Sequence, residues 1–242
     1  MKRGCEHVLK HAQAESGGFG ASGSAKLGRP PPDRVLHCLN GNLVRALAGL
    51  GYAADERLGR AVEWQARAIT GSGDIRYYRS GTTGPGFACA WNGGQPCAWG
   101  AIKALRGLVR TSASKSSGWS SDAEVSKAIR AGANFLLSRD PVVTDYPAGD
   151  GRVSPLWFKL GFPSGYVADV LQNLEVLAEL GRYRNGRLGP AVEWLLGKQD
   201  ARGRWRNRYA YNGKLWADVE RQGSPSKWVT LRALRVLKAV HE

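Results

Sequence analysis

The stretch Trp194-Leu195-Leu196-Gly197-Lys198-Gln199-Asp200-Ala201-Arg202-Gly203-Arg204-Trp205 decides the fold. Its core spacing, Gln-x3-Gly-x-aromatic, returns near the start of the chain as Gln13-Ala14-Glu15-Ser16-Gly17-Gly18-Phe19. A Gln just past a helix meets carbonyls that lack partners. The Gly supplies a turn with permissive dihedrals, and the aromatic ring folds back over the Gln. Such a unit clamps one helix pair onto the next.

Working outward, helical phrases recur on both sides of the clamp. Arg45-Ala46-Leu47-Ala48-Gly49-Leu50 matches Lys103-Ala104-Leu105-Arg106-Gly107-Leu108 and Arg232-Ala233-Leu234-Arg235-Val236-Leu237, with a looser copy at Glu175-Val176-Leu177-Ala178-Glu179-Leu180. Each carries apolar residues three and four apart, the period of a helix with one buried stripe. These are the A helices. A second phrase, Ala61-Val62-Glu63-Trp64, recurs as Ala191-Val192-Glu193-Trp194 and more distantly as Ala131-Gly132-Ala133-Asn134-Phe135, and marks the B helices. Gln13 and Gln199 stand 186 residues apart and Arg45 and Arg232 stand 187 apart, so both signals point to one repeating framework. The pattern predicts B helices over 4–13, 55–70, 122–139 and 186–199, and A helices over 38–50, 97–109, 164–180 and 226–240. Pro96, Pro163 and Pro225 fall near A-helix starts, with Ser224 as a candidate cap for the last. The expected fold is all-α, an α/α-toroid-like array of about four helix hairpins in a single domain over 1–242. Gly-, Ser- and Pro-rich composition marks 16–36 and 111–121 as flexible loops.

Trp194-Leu195-x3-Gln199-x3-Gly203-x-Trp205 resembles the QW motif of the terpenoid cyclase and protein prenyltransferase superfamily. Gly161-Phe162-Pro163, Asn212-Gly213-Lys214 and Pro225-Ser226-Lys227-Trp228-Val229-Thr230-Leu231 resemble a bacterial group with prenyltransferase and squalene-oxidase repeats, and the likeness runs from Glu15 to the C-terminus. The resemblance implies inner helices ringed by outer ones, usually five or six pairs, around a cavity open at one mouth. It implies an apolar, isoprenoid-like ligand and zinc at the mouth. With about four pairs here, N-terminal repeats of the family are expected to be missing and the ring open, or completed by another subunit. A non-catalytic repeat scaffold that binds a protein or peptide is the alternative.

If A helices are the inner ones, their N-terminal ends meet at that mouth. A shift of 58 lays Cys97 over Leu39, and a shift of 130 lays Asp169 over the same place. Cys38 is one residue away, Cys89 precedes the second A helix, and His37 is adjacent. Sulfur, nitrogen and oxygen donors of this kind suit tetrahedral zinc, so Cys38, Cys89, Cys97 and Asp169 are the candidate metal ligands. The same cysteines also suit small buried hydrophobes at helix starts. Asp169 and Tyr166 are the candidate catalytic residues, and Trp99, Trp157, Trp228 and Arg232 the candidate ligand-binding residues. Aromatic faces of this kind line apolar pockets and stabilise cations. Neither an Asp-x-Asp-Asp nor an Asp-Asp-x-x-Asp motif occurs, and no Gly-x4-Gly-Lys loop cradles phosphate.

Composition bounds the rest. Of 242 residues 43% are hydrophobic and 23% charged, as in ordinary folded proteins, and the net charge is +15 with 24 of the 35 basic residues Arg. That excess reads as a solvated coat or as affinity for an anion. Arg202, Arg204, Arg206 and Arg208 alternate along one segment and suit a basic edge. No zinc finger, RNP sequence or helix-turn-helix accompanies them, so nucleic acid is not the expected partner. No apolar run reaches the ~20 residues of a membrane span. Glu6 and His7 interrupt any leader core, and four scattered cysteines do not make a disulfide scaffold, so cytoplasm is the expected compartment.

Overall fold

Three of the helix starts are written in carboxylates that accept a backbone N–H. Asp55 accepts from Arg57 N (2.9 Å) ahead of a helix over Glu56–Thr70, Asp122 accepts from Val125 N (2.8 Å) ahead of Ala123–Leu137, and Asp169 accepts from Gln172 N (2.8 Å) ahead of Val170–Glu179. Each oxygen satisfies one of the N–H groups that a first turn leaves without an intrahelical partner. A computed structural model of the protein describes residues 1–21, 26–31, 34–72, 84–113, 122–143 and 153–241. Within them lie eight α-helices: α1 (Lys2–His11), α2 (His37–Leu47), α3 (Glu56–Thr70), α4 (Ala98–Ser112), α5 (Ala123–Leu137), α6 (Val170–Glu179), α7 (Gly189–Leu196) and α8 (Lys227–His241). Extended pairing among the described residues is confined to isolated bridges, and the fold is all-α. B and A helices alternate in the predicted order.

The chain divides into two compact units. The first holds Met1–Phe135 with Pro147–Arg152, and the second Leu136–Tyr146 with Val153–Glu242.

In the first unit α2 and α4 cross almost backbone to backbone. A Cβ placed on Gly41 would stand 2.3 Å from the Lys103 carbonyl oxygen, and one on Gly107 would stand 2.8 Å from the Gly41 oxygen. Only residues without a side chain allow that approach. The crossing seats Val44, Leu47, Ala101, Ala104, Leu105 and Leu108 in the core. Arg57 ties α1 to α3 through Glu6 (2.9 Å).

The two Gln-x3-Gly-x-aromatic segments fold alike, one in each unit. Ala14 N donates to Gly18 O and Gly17 N to Ala14 O; at the corresponding positions Asp200 N donates to Arg204 O and Gly203 N to Asp200 O. Gly17 and Gly203 both take positive φ, 98° and 75°. Phe19 and Trp205 are fully buried. The Phe19 amide donates to Asn40 Oδ1 (2.8 Å), and the Trp205 amide to Thr230 Oγ1 (3.0 Å). Trp205 Nε1 also donates to Leu195 O (2.7 Å). Gln13 Nε2 reaches Gly17 O (2.7 Å) and, in the next B helix, Arg57 O (2.5 Å). The turn and the buried aromatic of the clamp recur in both copies, while the Gln differs, Gln13 being buried and Gln199 exposed; Gly17–Gly20 is buried although its composition predicts a flexible loop. Of the expected loops, 22–25, 32–33 and 114–121 lie outside the described residues.

The repeat register differs from the phrase alignment. Asn40 and Thr230, which anchor the two aromatic residues, are 190 residues apart, whereas the A phrases are 187 apart. The antiparallel bridges agree with the anchors, since Gly20 pairs with Val35 and Arg206 with Pro225. Three residues is close to one helical turn, so sliding the phrase leaves its apolar stripe on the same face. The A-helix caps are Leu36, Cys97, Asp169 and Ser226. Leu39 is thus one turn beyond the position of Cys97. Ser226, whose Oγ accepts from Val229 N (3.0 Å), caps α8 in place of Ser224. Pro96 and Pro225 stand just outside the first turn, before the caps. No helix among the described residues is long and apolar enough to cross a membrane.

Candidate functional site

The α2–α4 crossing brings the beginnings of two A helices together, and with them three sulfur atoms. Cys97 caps α4, its Sγ accepting from Gly100 N (3.4 Å), while a Cβ on Gly100 would lie 3.3 Å from His37 Cβ. Cys89 is carried to Cys97 by a short antiparallel turn: Ala88 bridges Pro96, Cys97 N donates to Phe87 O (2.9 Å), and Cys89 N donates to Gln95 O (3.2 Å). The Cys97 thiol donates to Cys89 Sγ, which lowers the Cys89 pKa and raises that of Cys97. Cys38, second residue of α2, feels the charge of that pair. Burial first, then the Cys89 charge, pushes its pKa up to about 11. All four cysteines of the chain are free thiols.

Beside the thiols runs a buried polar chain, of which the sequence reading noted only His37. His37 Nε2 lies 3.1 Å from Gly84 O, its Nδ1 is 2.6 Å from Gln65 Nε2, and Gln65 Oε1 accepts from Asn40 Nδ2 (2.9 Å). With a carbonyl on one side and an amide on the other, the imidazole takes the tautomer in which Nε2 donates and Nδ1 accepts. Burial pushes its pKa down to about 4. Both ring nitrogens are engaged, so His37 supports the site without offering a metal a lone pair. Neither Asn40 nor Gln65 was marked by the repeat phrases.

The second unit holds the other proposed site residues, and there most of them hold up the backbone. Asp169 is buried with both oxygens occupied, Oδ1 by Gln172 N and Oδ2 by Gly161 N (3.0 Å). Burial raises its pKa, against the opposing charge of Arg232. Arg232 meets Glu175 in a two-pronged ion pair, Nε to Oε1 at 2.8 Å and Nη2 to Oε2 at 2.6 Å, and its Nη1 donates to Gly161 O (3.0 Å). Burial opposes the Arg232 charge, but Glu175 outweighs it and the pKa rises. Asn207 brackets Phe162 from both sides, accepting from its N–H (3.0 Å) and donating to its carbonyl (2.7 Å). Trp157 is buried with Nε1 on Pro141 O (2.8 Å). Tyr166 and Trp228 are exposed, Trp228 stacking on Phe162 (ring centres 5.3 Å apart), and Trp99 is half-buried in the first turn of α4. The structure thus gathers Cys38, Cys89 and Cys97. Asp169, Tyr166, Trp157, Trp228 and Arg232 belong to the second unit.

A three-sulfur donor set is soft and suits zinc or another thiophilic ion. Among the described residues no three His, Cys, Asp or Glu side chains are positioned to hold a metal as they stand. No protein-family model matches the chain, and no curated protein is similar to it.

Proposed function

We propose that the chain is a prenyltransferase- or terpene-cyclase-like repeat protein of the α/α-toroid type, with an apolar, isoprenoid-like ligand and its chemistry at Cys38, Cys89 and Cys97. One observation carries this reading: three thiols gather at the N-terminal ends of two neighbouring A helices. The twice-repeated clamp supports the toroid assignment, and a second subunit completing the ring belongs to the same reading. Within the site, the Cys97 thiol donates to Cys89 and favours a thiolate there, while His37, held neutral, adds no positive charge. Cys38, Cys89 and Cys97 are the residues that would hold a zinc ion, which would supply a Lewis acid at the site. Of the transferase and isomerase classes, transfer to a thiol fits this sulfur site better, because the Asp-x-Asp-Asp acid of protonation-driven cyclisation is absent. Solvent extraction of the purified protein, followed by mass spectrometry and by titration with farnesyl diphosphate, tests the ligand. A polyprenyl species or saturable binding is expected, and a protein that neither carries nor binds such a molecule contradicts the reading.

The scaffold alternative has its own observation. Trp228, Leu231 and Leu234 of α8 are exposed apolar side chains spaced three apart, as on a helix face that receives a partner. Serine at Leu231 and Leu234 together abolishes capture of a protein partner on that reading and leaves ligand binding untouched on the first.

A further inference from the structure

The segment between Tyr209 and Gln222 is a built loop with an apolar tip. Its walls are stapled by side chains: Ala210 N donates to Gln222 Oε1 (3.1 Å), Gln222 N to Asn212 Oδ1 (3.1 Å), and Asn212 Nδ2 to Glu220 O (2.9 Å). At the base, Asn207 N donates to Ser224 O (2.9 Å) and Gly223 N to Asn207 O (2.6 Å). None of this folds the tip onto the protein. Leu215, Trp216 and Val219 are exposed, and Trp216 is as open to solvent as in a free peptide, at 108%. A loop tip is ordinarily small and polar, so a fully wet indole held out on a stapled loop calls for something that takes it up.

Charge identifies what that is. The tip also carries two carboxylates: Asp218, exposed beside Val219, accepts from Gly213 N (2.9 Å), and Glu220 accepts from the Ser226 hydroxyl at the start of α8. Lys214 and Arg221 flank the apolar residues, Arg206 and Arg208 precede them at the base, Arg206 with its Nη1 on Gly223 O (3.1 Å), and all four are exposed. The loop therefore presents an indole and two aliphatic side chains on a tip where Lys214 and Arg221 balance Asp218 and Glu220, above a base made cationic by Arg206 and Arg208. Trp favours the headgroup level of a bilayer, Leu and Val the acyl boundary, and Lys and Arg the anionic headgroups. A single-stranded nucleic acid would instead need aromatic faces along a basic groove, whereas two of the three apolar residues here are aliphatic and stand at a protruding tip.

We propose that the 209–222 loop docks the protein on an anionic lipid surface, with Leu215, Trp216 and Val219 entering the headgroup region and Lys214, Arg206, Arg208 and Arg221 holding the headgroups. This is independent of the thiol site. Three apolar side chains bind weakly by themselves, so binding needs both halves of the device.

The test is flotation of the full chain with vesicles of phosphatidylcholine, alone or with about three parts in ten phosphatidylglycerol. Binding to the anionic vesicles, weak binding to the neutral ones and weakening with added salt are expected. Trp216→Ser and the pair Lys214→Glu and Arg221→Glu should each reduce binding by about tenfold or more. The melting midpoint should not change, because these side chains contact little of the fold. Absence of binding to either vesicle, or binding that Trp216→Ser leaves intact, overturns the proposal. A concentration-dependent dimer that Trp216→Ser dissolves also overturns it, by making a second copy the occupant.

Discussion

The indole N–H of Trp205 donates to the carbonyl of Leu195 at 2.7 Å, closing the end of α7 with a ring that has no exposed surface. That bond turns a sequence spacing into a mechanical element. It adds a second donor to a buried carbonyl that already accepts from Lys198 N (3.1 Å), and buries the largest side chain of the segment in one step.

Trp205→Ala should lower the free energy of unfolding by ~3–5 kcal/mol through the cavity it leaves, and Trp205→Phe by ~1–2 kcal/mol through the lost donor. Chemical denaturation of the two variants separates packing from hydrogen bonding. An unchanged midpoint for Trp205→Ala is incompatible with a clamp.

Gly41→Ala adds one carbon where the Lys103 carbonyl stands 2.3 Å away, so α2 and α4 must separate. A loss of about 2–3 kcal/mol is expected, with broader loss of the thiol geometry that depends on this crossing. Gly49, with open space around it, is the control. Gly49→Ala should leave stability unchanged or slightly raised, and equal effects at the two glycines would remove the close-crossing argument.

The Arg232–Glu175 pair is buried, so breaking it from one side strands a charge. Arg232→Met alone should cost about 3–5 kcal/mol, while adding Glu175→Gln to it should recover much of that loss. Additive losses in the double-mutant cycle would show that the two residues act separately.

His37 makes stability pH-dependent in a defined window. Its folded pKa of about 4 lies below the unfolded value near 6.5, so on acidification the unfolded chain takes up the proton first. Stability is therefore full above 6.5 and declines toward 4, by about 2 kcal/mol between pH 7 and pH 5. Urea unfolding at both pH values, with His37→Gln as comparison, checks this. The variant should show a smaller difference, and an equal one would place the titrating group elsewhere.

Helix order, the all-α class and the clamp were legible because they rest on local periodicity and on a spacing that the backbone repeats bond for bond. Register was not, because a helix face survives a slide of three residues: the phrase places Arg45 over Arg232, while the anchors place Asn42 there. The gathering of Cys38 with Cys97 was legible from their shared place at helix starts. That Asp169 spends both oxygens on Gly161 and Gln172 was not, since capping and ligation use the same carboxylate and only the neighbouring N–H groups tell them apart. The His37–Gln65–Asn40 chain joins residues up to 28 apart across two helices, a relation no spacing rule encodes.

The most direct test is the metal content of the purified, reduced protein after exposure to zinc and gel filtration, compared with a variant carrying Cys38→Ser and Cys97→Ser together. About one zinc per chain, lost in the variant while the fold is kept, is the result this account predicts. Zinc in neither sample would contradict it and leave the three thiols as packing at the α2–α4 crossing.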